Sequence, residues 1–130
     1  METPDIGAIL YGSEPVIKWF GGWPNFHDAE IIHLKLARSG ESVLRIYPYY
    51  PEKPAPVDFI LNAVTDLELA DFSSQNVIFS LQIETVTDQT KQNAVRLTLV
   101  PCYGLSGWLD GRRVRVELVP GQSSDGVSLW

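Results

Sequence analysis

The sequence predicts an α+β domain rich in strand, with short N-terminal helices followed by a six- to eight-stranded, mostly antiparallel sheet. Three observations carry this. From Glu30 onward, apolar and polar residues alternate with a period of two in five separate runs. Residues 6–20 alone keep a mixed, helix-compatible spacing. No long helical period stands between the runs, which excludes a parallel sheet built from βαβ units.

The elements follow in order. Residues 6–20 fit two short helices broken at Gly12 and restarted around Ser13-Glu14-Pro15, with Ser13 as N-cap, Pro15 in the first turn and Gly21-Gly22 as the stop. Ile32, Leu34 and Leu36 then alternate with His33, Lys35 and Ala37, and Leu44 and Ile46 with Arg45 and Tyr47. Arg38-Ser39-Gly40-Glu41 joins these two as a hairpin. Residues 57–69 add one long or two short strands, with Leu67 and Leu69 facing inward. Val77, Phe79, Leu81 and Ile83 mark the next strand, Val95, Leu97 and Leu99 another, and Val114, Val116 and Leu118 the last. Asp88 to Gln92 is a polar loop between the first two of these. Asp110-Gly111 reads as a tight hairpin turn, with Tyr103 to Leu109 as the partner of the final strand. Residues 48–56 hold four prolines and form an extended loop or edge. The stretch 120–130 reads as a loose tail that could dock as a further strand. Residues 1–130 make a single domain, with no internal repeat.

Composition bounds the function. The 130 residues are 45% hydrophobic, enough for a core without disulfides or metals. Ten basic residues face sixteen acidic ones, a net charge of -6, which lacks the basic footprint of a nucleic-acid binder. There is no apolar run long enough to span a membrane. The single Cys102 excludes an internal disulfide and reads as a buried structural thiol. The acidic N-terminus lacks the basic start of a secretory signal, so a reducing, cytoplasmic setting is expected.

Candidate sites are few. Gly104-Leu105-Ser106-Gly107 is one residue short of a nucleophile elbow and reads as a bend or bulge. Arg113 and Arg115 share a wet face, able to hold an anion or to pair with an acid such as Glu84 or Asp66. The densest polar cluster is Trp23-Pro24-Asn25-Phe26-His27-Asp28-Ala29-Glu30. Its residues read as a structural connector in which Asp28 caps backbone amides and His27 holds a carbonyl or carboxylate. The set lacks the four Cys or His ligands of a structural zinc site, and no metal or cofactor is expected. Tyr47, Tyr49 and Tyr50 on the proline-stiffened loop, with the nearby acids Glu52 and Asp58, form the candidate partner-binding surface. The competing reading has these tyrosines simply covering one end of the sheet.

The Trp23–Glu30 box resembles the Immunity protein 50 family. So do Asp66-Leu67-Glu68-Leu69 followed by Phe72 and Gln75-Asn76-Val77-Ile78, and Tyr103-Gly104-Leu105-Ser106-Gly107 before a basic strand. Together these pieces span about residues 19 to 118. The resemblance implies a bacterial immunity protein of a polymorphic-toxin system, which binds and neutralises a cognate toxin domain and has no enzymatic activity or cofactor. The box residues Trp23, His27, Asp28 and Glu30 match the family, and a folding role suits a family-wide box better than toxin contact. No nucleic acid or membrane partner is implied, and the chain is expected as monomer or homodimer. Two alternatives stand beside it: an accessory binding module of unknown partner, and a small hydrolase using His27, Asp28 and Glu30.

Overall fold

Period-two alternation, broken by bulges after Ile31 and around Ile78, gives the strands dry faces that close here into a barrel. The computed structural model describes residues 6–87 and 90–119. Helices α1 (Ile6–Ile9) and α2 (Ser13–Phe20) precede strands β1 (Ala29–Lys35), β2 (Glu41–Tyr47), β3 (Val57–Ala70), β4 (Val77–Thr87), β5 (Asn93–Tyr103) and β6 (Ser106–Leu118). The barrel order is β1-β2-β3-β6-β5-β4, and every strand pairing is antiparallel. The α+β, strand-rich class is therefore the one the alternation predicts. Leu44, Ile46, Phe59, Leu61, Leu97 and Leu109 fill the interior at 0% exposure. Each such side chain contributes about 1.5–3 kcal/mol by leaving water.

β6 pairs with β5 only from Gly107 to Gly111, then parts from it. Tyr11 takes the vacated edge: its N–H donates to the Val114 carbonyl (3.1 Å) and its carbonyl accepts from Val116 N–H (2.8 Å). Ile6, Leu10 and Val16 thereby enter the core and plug the opening.

Several local expectations change. Gly12, in a left-handed conformation (φ 78°), holds the cap position of α2, and Ser13 is a buried helical residue without a capping hydrogen bond. Residues 57–69 belong to one long strand, β3, with a register shift between Val64 and Asp66. Asp110-Gly111 is not a turn. Both residues lie inside β6, paired to Arg96 and Val95 of β5, and Gly111 faces inward against Leu61. The hairpin turn falls instead at Gly104-Leu105, between β5 and β6. Next to it, Gly107 (φ 118°) is required, since a Cβ there would lie 1.8 Å from the Glu68 carbonyl oxygen. Cys102 is exposed near the end of β5, not buried. Residues 120–130, and residues 88 and 89 of the polar loop, lie outside the described residues.

The strand order also has a symmetry that the sequence does not display. Exchanging β1 with β4, β2 with β5 and β3 with β6 returns the same cyclic order, so the barrel is two three-stranded meanders related by a topological two-fold. On the outer face His33, Arg45, Asp58 and Glu117 stand in register across β1, β2, β3 and β6. Glu84, Arg96, Asp110 and Asp66 stand in register across β4, β5, β6 and β3. Equivalent positions lie 51 or 52 residues apart in the chain (33 to 84, 45 to 96 and 66 to 117, each 51; 58 to 110, 52).

Each meander carries the same clamp between its second and third strands. Arg45 Nε and Nη2 donate to the two Asp58 carboxylate oxygens at 2.6 and 2.9 Å, and Arg96 does the same to Asp110 at 2.8 and 2.9 Å. The carboxylates raise the proton affinity of both guanidiniums. Asp58 and Asp110 are buried, and Arg96 lies under the Trp108 ring at 4.0 Å. Truncating one partner leaves a largely desolvated charge unpaired. Asp110→Ala and Asp58→Ala are each expected to lower unfolding free energy by about 2–3 kcal/mol in urea titration. The clamps share no residue, so the double variant should lose the sum to within about 0.5 kcal/mol.

Candidate functional site

The box and the Pro/Tyr loop, separate in the sequence, meet at one end of the barrel. Within the box, Trp23 and Phe26 pack edge-to-face on each other (5.7 Å between ring centroids) and both meet the buried Phe59 ring, at 6.2 and 5.8 Å. Aromatic pairs in this geometry add about 0.5–1.5 kcal/mol beyond their burial. The box backbone then docks on β4. Asp28, held left-handed at φ 64°, donates its N–H to the Ile78 carbonyl (3.0 Å), and Ala29 N–H bonds to Phe26 (3.0 Å).

The cap expected of Asp28 is made by its neighbour. Asn25 Oδ1 accepts from His27 N–H at 2.8 Å, while the Asp28 carboxylate faces His27 Nδ1 at 3.2 Å. Both of those side chains are about half exposed, and the His27 ring stands edge-on to Phe79 at 4.9 Å. Glu30 lies in β1 opposite Tyr47 and Val77. Among the described residues no group of three or more His, Cys, Asp or Glu is arranged to hold a metal ion.

The Pro/Tyr loop is fixed by α2 and the box. Tyr50 packs on Phe20 (4.8 Å) and its hydroxyl accepts from Asn25 N–H (2.8 Å). Trp19 Nε1–H donates to the Lys53 carbonyl, and Lys53 Nζ donates to the Trp19 carbonyl, both at 3.1 Å. Turn bonds from Tyr50 N–H to Pro48 and from Lys53 N–H to Tyr50, each 3.0 Å, complete the loop. This scaffold leaves Tyr49 69% exposed. Phe20, Tyr49, Tyr50, Pro51, Glu52 and Lys53 line an open concavity of about 540 Å³.

The candidate partner-binding residues therefore divide. Tyr49 and Glu52 are presented to solvent on this concavity, and Tyr50 forms its half-buried wall. Tyr47 lies in β2, where burial raises the pKa of its phenol. Asp58 is not an exposed acid of this surface, because it is 7% exposed and clamped by Arg45. The expected outlet for the basic strand changes too: Arg115 bonds Glu41 and Glu117, not Glu84 or Asp66. The hydrogen bond from Arg115 lowers the Glu41 pKa below the usual carboxylate range.

Sequence reasoning missed Trp19, Phe20 and Lys53, whose partners lie about thirty positions away. It also missed Asn76, which is buried and bonds Ser73 N–H, the Ser73 carbonyl and Leu105 N–H at 3.0, 2.9 and 2.8 Å. The signal for Asn76 was its place between two apolar-strand segments; the clamps were signalled by an Arg followed by an Asp at nearly the same spacing, 13 and 14 residues. Compared with protein-family models, curated proteins and solved structures, the chain matches none.

Trp23→Ala is expected to cost about 3 kcal/mol of stability, in keeping with loss of a large packed aromatic. His27→Gln should change it by less than about 0.5 kcal/mol, as for an ordinary surface site. Urea unfolding followed by tryptophan fluorescence and circular dichroism measures both. Equal losses in the two variants would mean that the His27–Asp28 pair supports the fold as much as the aromatic cluster does.

Proposed function

We propose that this domain acts by binding another protein, as an immunity protein that neutralises a cognate bacterial toxin domain, with no catalysis of its own. The observation that carries the reading is Tyr49. It is 69% exposed on a loop that ring stacking and hydrogen bonds hold in place before any partner arrives. A fixed loop loses little entropy on binding, and tyrosine is a favoured centre of protein interfaces. Glu52 beside it belongs to a chain of net charge -6. Such charge suits a partner that is basic where it grips phosphate. The interior fits the same reading, since apolar side chains, Phe26 and Phe59 among them, fill it. The likeness of the Trp23–Glu30 box to immunity proteins adds the biological setting, and the aromatic packing of Trp23 and Phe26 gives that box a folding role.

The experiment is co-expression with the toxin domain that this reading expects beside the gene. Tyr49→Ala should leave the melting temperature nearly unchanged and weaken the complex by about 2 kcal/mol or more. Tyr50→Ala should instead lower stability, because Tyr50 holds the loop to Phe20 and Asn25. The association rate should fall as salt rises. Failure of any complex to form with the adjacent toxin removes the immunity reading.

A further inference from the structure

Outward side chains of β3 and β6 form a small square on the outside of the barrel that shares no residue with the Tyr49 concavity. Ile60 faces Arg115 across the ladder, and Asn62 faces Arg113. Tyr11 closes another side, because its backbone is bridged to β6 at Arg115. The result is a notch of about 220 Å³ lined by Tyr11, Ile60, Asn62, Arg113 and Arg115.

Its chemistry is divided between floor and walls. Ile60 is 5% exposed and supplies an apolar floor. The walls supply donors: two guanidiniums, a primary amide and a phenol. Arg115 is already held by Glu41 and Glu117. Arg113 is exposed and has no ion pair among the described residues. A donor wall over an apolar floor selects an anion that brings an apolar stem. The planar guanidinium matches a carboxylate with two parallel hydrogen bonds. One uncommitted positive charge matches one negative charge, and the carboxylates of Glu41 and Glu117 repel a dianion such as phosphate.

We propose that this notch is a binding site for a carboxylate on a short aliphatic stem, with Arg113 and Asn62 gripping the oxygens and Ile60 receiving the stem. Two sources share that chemistry, an Asp or Glu side chain of a protein partner and a free organic acid. The proposal does not depend on the immunity reading.

The test is a titration of the isotope-labelled full chain, with ionic strength held constant. The probes are butyrate, N-acetylglutamate α-amide and inorganic phosphate. The readouts are the side-chain N–H signals of Arg113 and Asn62. Saturable shifts with a carboxylate, weakened at least tenfold in Arg113→Gln, are the expected result. The backbone spectrum of that variant checks that it remains folded. Tighter binding of the blocked glutamate identifies a side chain as the occupant, and tighter binding of butyrate identifies a free acid. The proposal is overturned if neither carboxylate gives a saturable shift, if Arg113→Gln responds like the parent chain, or if phosphate binds more tightly than both.

Discussion

Two three-stranded meanders must share one core, and the ladder between β3 and β6 is what obliges them to. It runs from Val57–Leu118 to Ala70–Ser106, bending at the register shift between Val64 and Asp66. The other seam, between β1 and β4, is held by only Ala29–Ile78 and Glu30–Val77. The short seam therefore needs help from outside the sheet, and the box supplies it. Asp28 N–H of the box bonds the Ile78 carbonyl, beside the bond from Ile31 N–H of β1 to the carbonyl of the buried Asn76. The aromatic cluster of Trp23, Phe26 and Phe59 then seals the same end, and the Pro/Tyr loop rests on it through Asn25 and Tyr50. The exposure of Tyr49 is thus a late consequence of how the barrel is closed.

The strands were legible because burial on one face leaves a period of two in the sequence. The errors came where identical text serves two geometries. Asp-Gly before an apolar run is a hairpin signal, yet here Asp110 meets Arg96 across a strand and Gly111 makes room for Leu61. Only the neighbouring strands distinguish these cases. Ser13 has the chemistry of a cap, but the chain enters α2 through a left-handed Gly12 whose Cβ would strike the Val116 carbonyl. Asp58 was grouped with the Pro/Tyr loop because it is near in sequence, and the Arg45 that claims it lies in the preceding strand. The aromatic content of the candidate loop was visible. What holds Tyr50 and releases Tyr49 was not, since those partners lie in α2 and the box.

Charge is distributed by the same logic. Arg45, Arg96 and Arg115 are each held by a carboxylate on the outer face of the barrel. Their positive charge is spent inside the molecule, in pairs that fix strand register. Acids such as Glu68 and Glu84 remain exposed on that face. A chain with ten basic residues therefore shows an excess of negative charge to an approaching protein.

The two-fold relation between meanders carries a further consequence, for assembly. Two like halves that close a barrel within one chain have the same complementarity when they come from different chains. The choice between intramolecular and exchanged closure then lies in the connection from β3 to β4, residues 71–76. Asn76 ties that connection into a tight bend by bonding Ser73 and Leu105, and Gly104 is crowded against it, with no space for a Cβ. One buried amide thus braces the bend through which the second half folds back on the first. If the bend opened, the same pairings would be satisfied between molecules, and concentration would set how many chains build each barrel.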